Sequence, residues 1–173
     1  MSDFFGTVSG DQDPLRKLLA YIPGFGGYIE RENRRAADKL LRDSVSRRFE
    51  ELYKRLSALQ SEVIASGGIE YIDEMEKAAL QLRTFADKIR TATYGYSGFF
   101  DAVKINEDEL TKLYQFDTAF FQFADGISAA LDTLEGSLGN PEALPATIRN
   151  LTSLAREATQ TFEHRYDQIN SAG

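Results

Sequence analysis

Residues 45–68 read VSRRFEELYKRLSALQSEVIASGG and contain the clearest helical pattern in the chain. Its apolar residues recur at alternating spacings of four and three, which is the pattern of a helix packed in a bundle. These residues are Val45, Phe49, Leu52, Leu56, Leu59 and Val63. The glycine pair after Ser66 favours a tight break between helices. Because Pro and Gly are absent back to Tyr28, we predict one long helix over residues 28–65.

Three further helices follow from the same kind of pattern. An apolar seam predicts a second helix over residues 69–93. The third begins at Asn106, which can cap it, and runs to Leu138. The fourth becomes regular near Pro145 and ends near Asn170. Four long amphipathic helices with mostly short connections predict an all-α fold, an antiparallel up-down four-helix bundle.

The N-terminal residues predict a short additional helix. Asp13-Pro14 is typical of a helix start, so we expect an amphipathic helix over residues 15–22. The glycine-rich residues 23–27 then form a loop. This helix could lie on a membrane surface, but it is short and has only two cations, which favours docking on the bundle. We therefore divide the chain into an N-terminal segment, 1–27, and the bundle, 28–173.

Composition narrows the possible functions. The chain of 173 residues is 42% hydrophobic and 27% charged, as expected for one globular domain. It has no Cys and one His, which excludes disulfides, thiolate metal sites and any site that needs two imidazoles. The N-terminus has no signal-peptide pattern, and no apolar run is long enough for a membrane span. A cytoplasmic location is expected.

Charge is distributed unevenly along the chain. The net charge is −7, so binding of nucleic acid over the whole surface is not expected. Residues 28–66 carry nine basic and seven acidic residues, whereas residues 101–173 carry five and twelve. The long first helix is therefore mildly basic, and the C-terminal half is acidic.

Helix lengths predict where the aromatic residues gather. The first long helix should span about 55 Å and the second about 37 Å, so the first overhangs by about 18 Å at its start. The N-terminal segment and the aromatic loop 94–105 can cap that end. This pole would be a closed aromatic core, or it would form a pocket or a partner-docking surface. Its aromatics are Phe4, Phe5, Tyr21, Phe25, Tyr28, Tyr94, Tyr96, Phe99, Phe100, Tyr114, Phe116, Phe120, Phe162 and Tyr166.

The sequence contains little that supports metal binding or catalysis. The di-iron site of ferritin-like bundles needs Glu-x-x-His on two helices, and this chain has no such motif. His164 has only Asp167 three residues on, and otherwise faces solvent or packs on aromatics. Nothing places a nucleophile beside a base, so no catalytic residue, metal ligand or cofactor is assigned.

Asp117 interrupts the apolar seam of the third helix. A buried carboxylate needs a partner, and the candidates are Arg34, Arg35, Arg83 and Arg90. Asp117 would form a structural ion pair, turn to the bundle edge, or anchor a polar ligand at the aromatic pole. The sequence alone does not distinguish these three possibilities for Asp117.

The start of the long helix is rich in arginine. Arg31, Arg34 and Arg35 follow the glycine-rich loop, so this helix end could hold a phosphate or a lipid head group. The loop matches no phosphate-binding motif, and Glu30 and Glu32 would repel an anion. Contact with a protein is the better-supported use of these arginines.

We therefore expect a non-enzymatic interaction or adaptor protein that contacts its partner through the aromatic pole and the Arg-rich helix start. The alternatives are a small-ligand or metal-binding bundle and a peripheral membrane protein. A homodimer could form through a second apolar stripe of Tyr114, Phe121 and Leu154. The candidate interface or pocket residues are Phe25, Tyr28, Arg31, Arg34, Arg35, Tyr94, Tyr96, Phe99, Phe100, Asp117, His164 and Tyr166.

Overall fold

The computed structural model describes residues 14–30, 34–92 and 107–171, and side chains within 17–27, 39–92 and 117–164. Every regular element in this part of the chain is helical, which confirms the all-α prediction. The elements are α1 (Pro14–Tyr21), α2 (Phe25–Glu30), α3 (Arg34–Ala65), a 3₁₀ turn (Ile69–Tyr71), α4 (Ile72–Thr91), α5 (Glu107–Gly136) and α6 (Leu144–Ser171).

The break between α3 and α4 is built by two glycines, as predicted. Gly67 has a φ of +89°, which an L side chain rarely adopts. Its amide donates to the Ile64 carbonyl at 3.1 Å, and the Gly68 amide donates to the Val63 carbonyl at 2.8 Å. This is the Schellman arrangement, which satisfies carbonyls at the end of α3. The long helix α3 therefore ends at these two glycines, because glycine readily adopts the positive φ that this turn requires.

The prediction of a loop over residues 23–27 is wrong for its second half. The chain turns at Pro23 and Gly24, whose φ is +84°, and helix α2 begins at Phe25. The Gly27 amide donates to the Gly24 carbonyl at 3.2 Å, so the glycines lie in a first helical turn. The helix predicted from residue 28 is thus described as two elements, α2 and α3, and residues 31–33 between them lie outside the described part.

Each long helix contacts two others: α3 and α6 both lie against α4 and α5. Ser46 of α3 donates to the Ala86 carbonyl of α4 at 2.9 Å, and Arg42 donates to the Arg90 carbonyl at 3.4 Å, so these two helices run antiparallel. Helices α3 and α5 are parallel neighbours, since Arg48 meets Asp125 and Arg55 meets Asp132. The α3–α4 and α5–α6 hairpins therefore lie side by side.

The predicted seam of residues 45–63 is buried throughout, which confirms that it faces the core. Where the hairpins meet, four phenylalanines interlock at ring-centroid distances of 4.3 to 6.2 Å, in tilted and edge-on contacts. They are Phe49, Phe85, Phe120 and Phe162, one from each long helix. Helix α6 begins at Leu144 beside Pro145, as predicted. The aromatic loop 94–105 lies outside the described residues, so its capping role stays a prediction.

Candidate functional site

A group of four side chains fixes the short helix α1 on α5, and we call it the Tyr21 cluster: Tyr21, Phe121, Asp125 and Arg48. The Tyr21 ring stacks on Phe121 with centroids 4.7 Å apart and planes inclined by 9°. The Tyr21 hydroxyl donates to Asp125 Oδ2 at 2.7 Å. Arg48 Nη2 donates to the other carboxylate oxygen at 2.9 Å. One carboxylate thus joins α1, α3 and α5.

The sequence of α1 explains why Tyr21 reaches this position. Leu18 and Ile22 are four residues apart on one helical face, and both are buried. Tyr21 lies beside that face, so its ring covers Phe121, which is only 5% exposed, while its own edge meets solvent. Burial of Leu18 and Ile22 therefore places Tyr21 at the edge of the α1–α5 contact, within reach of Asp125.

Electrostatics in the Tyr21 cluster favour the protonated phenol. The hydrogen bond to Asp125 is the largest cause that raises the pKa of Tyr21, and burial and the charge of Asp125 add to it. The positive charge of Arg48 acts in the opposite direction. The hydroxyl is therefore held as a donor.

A second polar contact continues along α3 and α5. Arg55 Nη2 binds Asp132 and also Glu135, the latter at 3.1 Å. The hydrogen bond with Asp132 is the main cause that raises the pKa of Arg55. Both the arginines and their aspartates are seven residues apart, the spacing of parallel helices that wind around each other. These pairs set the register of α3 against α5.

Polar side chains also join α3 to the end of α4. Arg90 Nε donates to Ser46 Oγ at 3.2 Å, and its Nη2 binds Glu50 at 3.3 Å. Arg42 is buried and donates to the carbonyl of Arg90, in the last turn of α4. A guanidinium at this place satisfies a carbonyl left open by the helix end.

Among the predicted contact residues, Phe25 and Asp117 are buried. Phe25 is 1% exposed and belongs to the hydrophobic core, so of its two predicted uses, interface or pocket, the exposed interface is wrong. Asp117 is 3% exposed, which excludes the bundle edge. Of its predicted partners, Arg83 lies over the Tyr53 ring and Arg90 pairs with Glu50 and Asp87. Those two ion pairs were therefore wrongly predicted.

The other predicted contact residues are only partly described. His164 is exposed, so of its two predicted surroundings the solvent-facing one is confirmed. The backbones of Tyr28, Arg34, Arg35 and Tyr166 are helical, but their side chains lie outside the described part. The remaining predicted residues also lie outside it: Arg31, Tyr94, Tyr96, Phe99 and Phe100.

The apolar stripe predicted for a homodimer is covered within the chain at one of its three residues. Phe121 lies beneath Tyr21 and is buried, so its predicted exposure is wrong. Leu154 is partly buried, in contact range of α5 at Gly126, and its place in the stripe stays a prediction. The Tyr114 side chain lies outside the described part.

No protein-family model matches the chain, and neither does any curated protein or solved structure compared with it. Within the described residues, no group of three or more His, Cys, Asp or Glu is placed to hold a metal ion. None of the helices in that same part combines the length and apolar content that a membrane crossing requires. Function therefore has to be argued from the described contacts themselves.

Sequence reasoning missed the Tyr21 cluster altogether. The sequence pattern places Tyr21 at the aromatic pole and Phe121 on a dimer surface, and it singles out neither Arg48 nor Asp125. The signal that could have found part of it is the repeated spacing of seven in Arg48/Arg55 and Asp125/Asp132. The Tyr21 contact, across 104 residues of sequence, has no comparable signal.

Proposed function

We propose that this chain is a non-enzymatic, cytoplasmic interaction or adaptor protein whose helices form an up-down four-helix bundle capped by the aromatic loop. Its contact surface is the α3 pole, the end at which α3 begins and α4 ends. The observation that carries this proposal is the projection of α3 beyond α4. With Ser46 opposite Ala86, the last residue of α4 lies level with about residue 41, so Arg34–Leu40 extend about 10 Å further.

The charge of this projection indicates the kind of partner. Arg34 and Arg35 lie in the first turn of α3, and Arg34 is three residues after Arg31 in the sequence. Helix α2 packs on α3 and buries Phe25, so it stabilises the projecting turns. An acidic protein surface is the complementary partner.

The experiment is a charge reversal with a matched control. In the variant Arg34→Glu/Arg35→Glu, the partner captured by the tagged protein from its own host should be lost. The control, Arg149→Glu/Arg156→Glu, reverses two exposed arginines on α6 and should retain the partner. Equal loss of the partner in both variants would show that binding depends on net charge and not on the α3 pole. Retention of the partner in both variants would also overturn the proposal.

The aromatic loop supplies an independent test of the same proposal. Replacing Phe99 and Phe100 by Ser should abolish partner capture while leaving the helical circular dichroism nearly unchanged. Loss of folding would instead assign these residues to the core, and the aromatic loop would then have no part in the contact surface.

A further inference from the structure

The end of the bundle at which α3 turns into α4 is strongly acidic. We call it the turn end and define it as residues 59–77 and 132–149, because α3 and α5 run parallel and end on the same side. It contains eight acidic and two basic side chains, all exposed, so its net charge is −6 in a chain whose total is −7. The acidic residues are Glu62, Glu70, Asp73, Glu74, Glu76, Asp132, Glu135 and Glu142.

Helix stability explains only part of this acidity. Asp73 and Glu74 lie in the first turn of α4, where negative charge is favourable. Glu62 and Glu135 instead lie in the last turns of α3 and α5, where positive charge is favourable and no basic residue is present. Arg55 binds Glu135, but the dipole of α3 still opposes Glu62. The charge at these two helix ends therefore indicates a role outside folding.

Two isoleucines form an apolar centre within this acidic surface. Ile64 and Ile69 flank the Gly67-Gly68 turn and are 47% and 72% exposed, two of the four large hydrophobic residues exposed in the described part. Backbone hydrogen bonds hold the turn, since the Gly67 amide donates to the Ile64 carbonyl and the Tyr71 amide to the Gly68 carbonyl. An ordered apolar centre with a charged rim is typical of a protein-binding surface.

The sign of the charge decides which occupant fits. Nucleic acid and anionic membrane surfaces are repelled by a net charge of −6, and so is the turn end of a second copy. The arginines at the start of α3 cannot reach it in the same molecule, because Arg34 lies about 42 Å from Glu62 along one helix. A basic protein segment is the complementary occupant.

From this charge and exposure we infer that the turn end binds a Lys/Arg-rich segment of another protein, which places aliphatic side chains on Ile64 and Ile69. The acidic rim attracts the segment and speeds its association, and the isoleucines supply the apolar contact that retains it. This surface lies at the opposite end of α3 from the α3 pole, and each can fail its test without the other.

The probe for this surface is a fluorescein-labelled peptide of lysines and leucines in an amphipathic helical pattern, measured by fluorescence anisotropy at physiological salt. A matched peptide has serines in place of the leucines, so it keeps the charge and loses the apolar face. The natural chain should bind the leucine peptide at least about tenfold more tightly, because its aliphatic side chains contact Ile64 and Ile69. Equal binding of the two peptides, or binding of neither, would overturn the inference.

Charge reversal locates the bound peptide. In Glu62→Lys/Glu76→Lys the affinity for the leucine peptide should fall at least about tenfold. The control Glu51→Lys/Glu157→Lys makes the same change of net charge at exposed positions outside the turn end and should have a much smaller effect. Glu62→Lys alone should be at least as stable as the natural chain in thermal unfolding, since it places a cation in the last turn of α3. Equal loss of affinity in both double variants would contradict binding at the turn end.

Replacing the isoleucines tests the apolar centre. Ile64→Ser/Ile69→Ser should lower the affinity for the leucine peptide to that for the serine peptide, with unchanged circular dichroism because both side chains are exposed. Leu80→Ser, at an exposed position outside the turn end, should bind like the natural chain. Arg34→Glu/Arg35→Glu should also keep the affinity, which separates this surface from the α3 pole. Undiminished binding by the isoleucine variant would refute the inference.

Light scattering of the natural chain tests the remaining occupant, the α3 pole of a second copy. Any self-association should persist in Glu62→Lys/Glu76→Lys. Its loss in that variant would assign the turn end to a second copy and would overturn a separate basic partner.

Discussion

Arg48 on α3 and Asp125 on α5 form an ion pair of 2.9 Å in which the second carboxylate oxygen is bound by Tyr21 of α1. The Asp125 carboxylate therefore fixes the register of α3 against α5 and also the docking of α1 on α5. Both ionic side chains are close to half exposed, so the pair itself adds little to stability and acts mainly through geometry. Because Arg48 and Tyr21 bind different oxygens of Asp125, the contribution of each to stability can be measured by mutating it alone.

The next pair along these helices tests how register is set. Replacing Arg55 by Ala should lower the free energy of unfolding by about 1 kcal/mol, because this guanidinium binds both Asp132 and Glu135. Urea denaturation measures the change. Lys77→Ala is the control, since its pair with Glu74 lies within one exposed helix and should contribute close to nothing. Equal changes for the two variants would contradict a role for Arg55 in joining α3 to α5.

The glycine turn after α3 predicts a strong and local effect. Gly67→Ala should destabilise by about 1–2 kcal/mol because its φ is positive. Gly68→Ala should also destabilise, since a Cβ there would lie 2.7 Å from Val63 Cγ1. Gly136→Ala, in open space at the end of α5, should instead be neutral or slightly stabilising. Thermal unfolding of the three variants would refute this account if they behaved alike.

The orientation of α4 is tested by two neighbouring leucines. Leu82 is completely buried, so Leu82→Ala should destabilise by about 2–5 kcal/mol. Leu80 is 65% exposed, and Leu80→Ala should change stability by less than about 0.5 kcal/mol. Chemical denaturation compares them directly. A large effect at Leu80 would mean that this face of α4 is covered.

The Tyr21 cluster predicts a pH dependence of known sign. Because the pKa of Tyr21 is raised in the folded protein, its contribution is fully present below the unfolded value of about 10. It is lost as pH rises through the folded pKa, when ionised Tyr21 faces the negative charge of Asp125 despite Arg48. The stability difference between the natural chain and Tyr21→Phe should therefore shrink in that range.

Ultraviolet absorbance of the phenolate gives the direct measurement. The spectrum of Tyr21→Phe, subtracted from that of the natural chain, isolates Tyr21 from the other tyrosines, including Tyr71, whose pKa is also raised, mainly by its hydrogen bond to Glu70. A difference curve centred at or below the ordinary pKa of tyrosine would contradict the hydrogen bond to Asp125.

The long helices were predictable because their signals are local and repeat many times. Each buried residue between Val45 and Val63 adds to the same period, and the glycines at 67 and 68 end it through their own backbone freedom. The prediction of a loop at residues 25–27 was wrong because tertiary packing there opposes the local sequence preference. Gly26 and Gly27 disfavour a helix, but burial of Phe25 and its packing beside α3 outweigh that preference.

The candidate site was much less predictable. Phe121 and Leu154 look like an outward apolar stripe when each helix is considered alone. Only the docked α1 shows that Phe121 is covered, and only the packing near Gly126 shows that Leu154 is partly buried. Asp117 likewise lies inside, although neither Arg83 nor Arg90 turns towards it as expected. The burial and the partners of these residues depend on which helices become neighbours, and no local sequence pattern specifies those neighbours.

The long helices, their buried seams and the break at Gly67-Gly68 follow from local sequence, because periodic burial and backbone conformation act over a few residues. The packing of helices that are distant in sequence places α3 parallel to α5 and α1 over Phe121. The ion pair of Arg48 with Asp125, together with the hydroxyl of Tyr21, joins residues up to 104 positions apart. Contacts of that range form only once the hairpins have packed, since their free energy comes from surfaces that no single helix possesses.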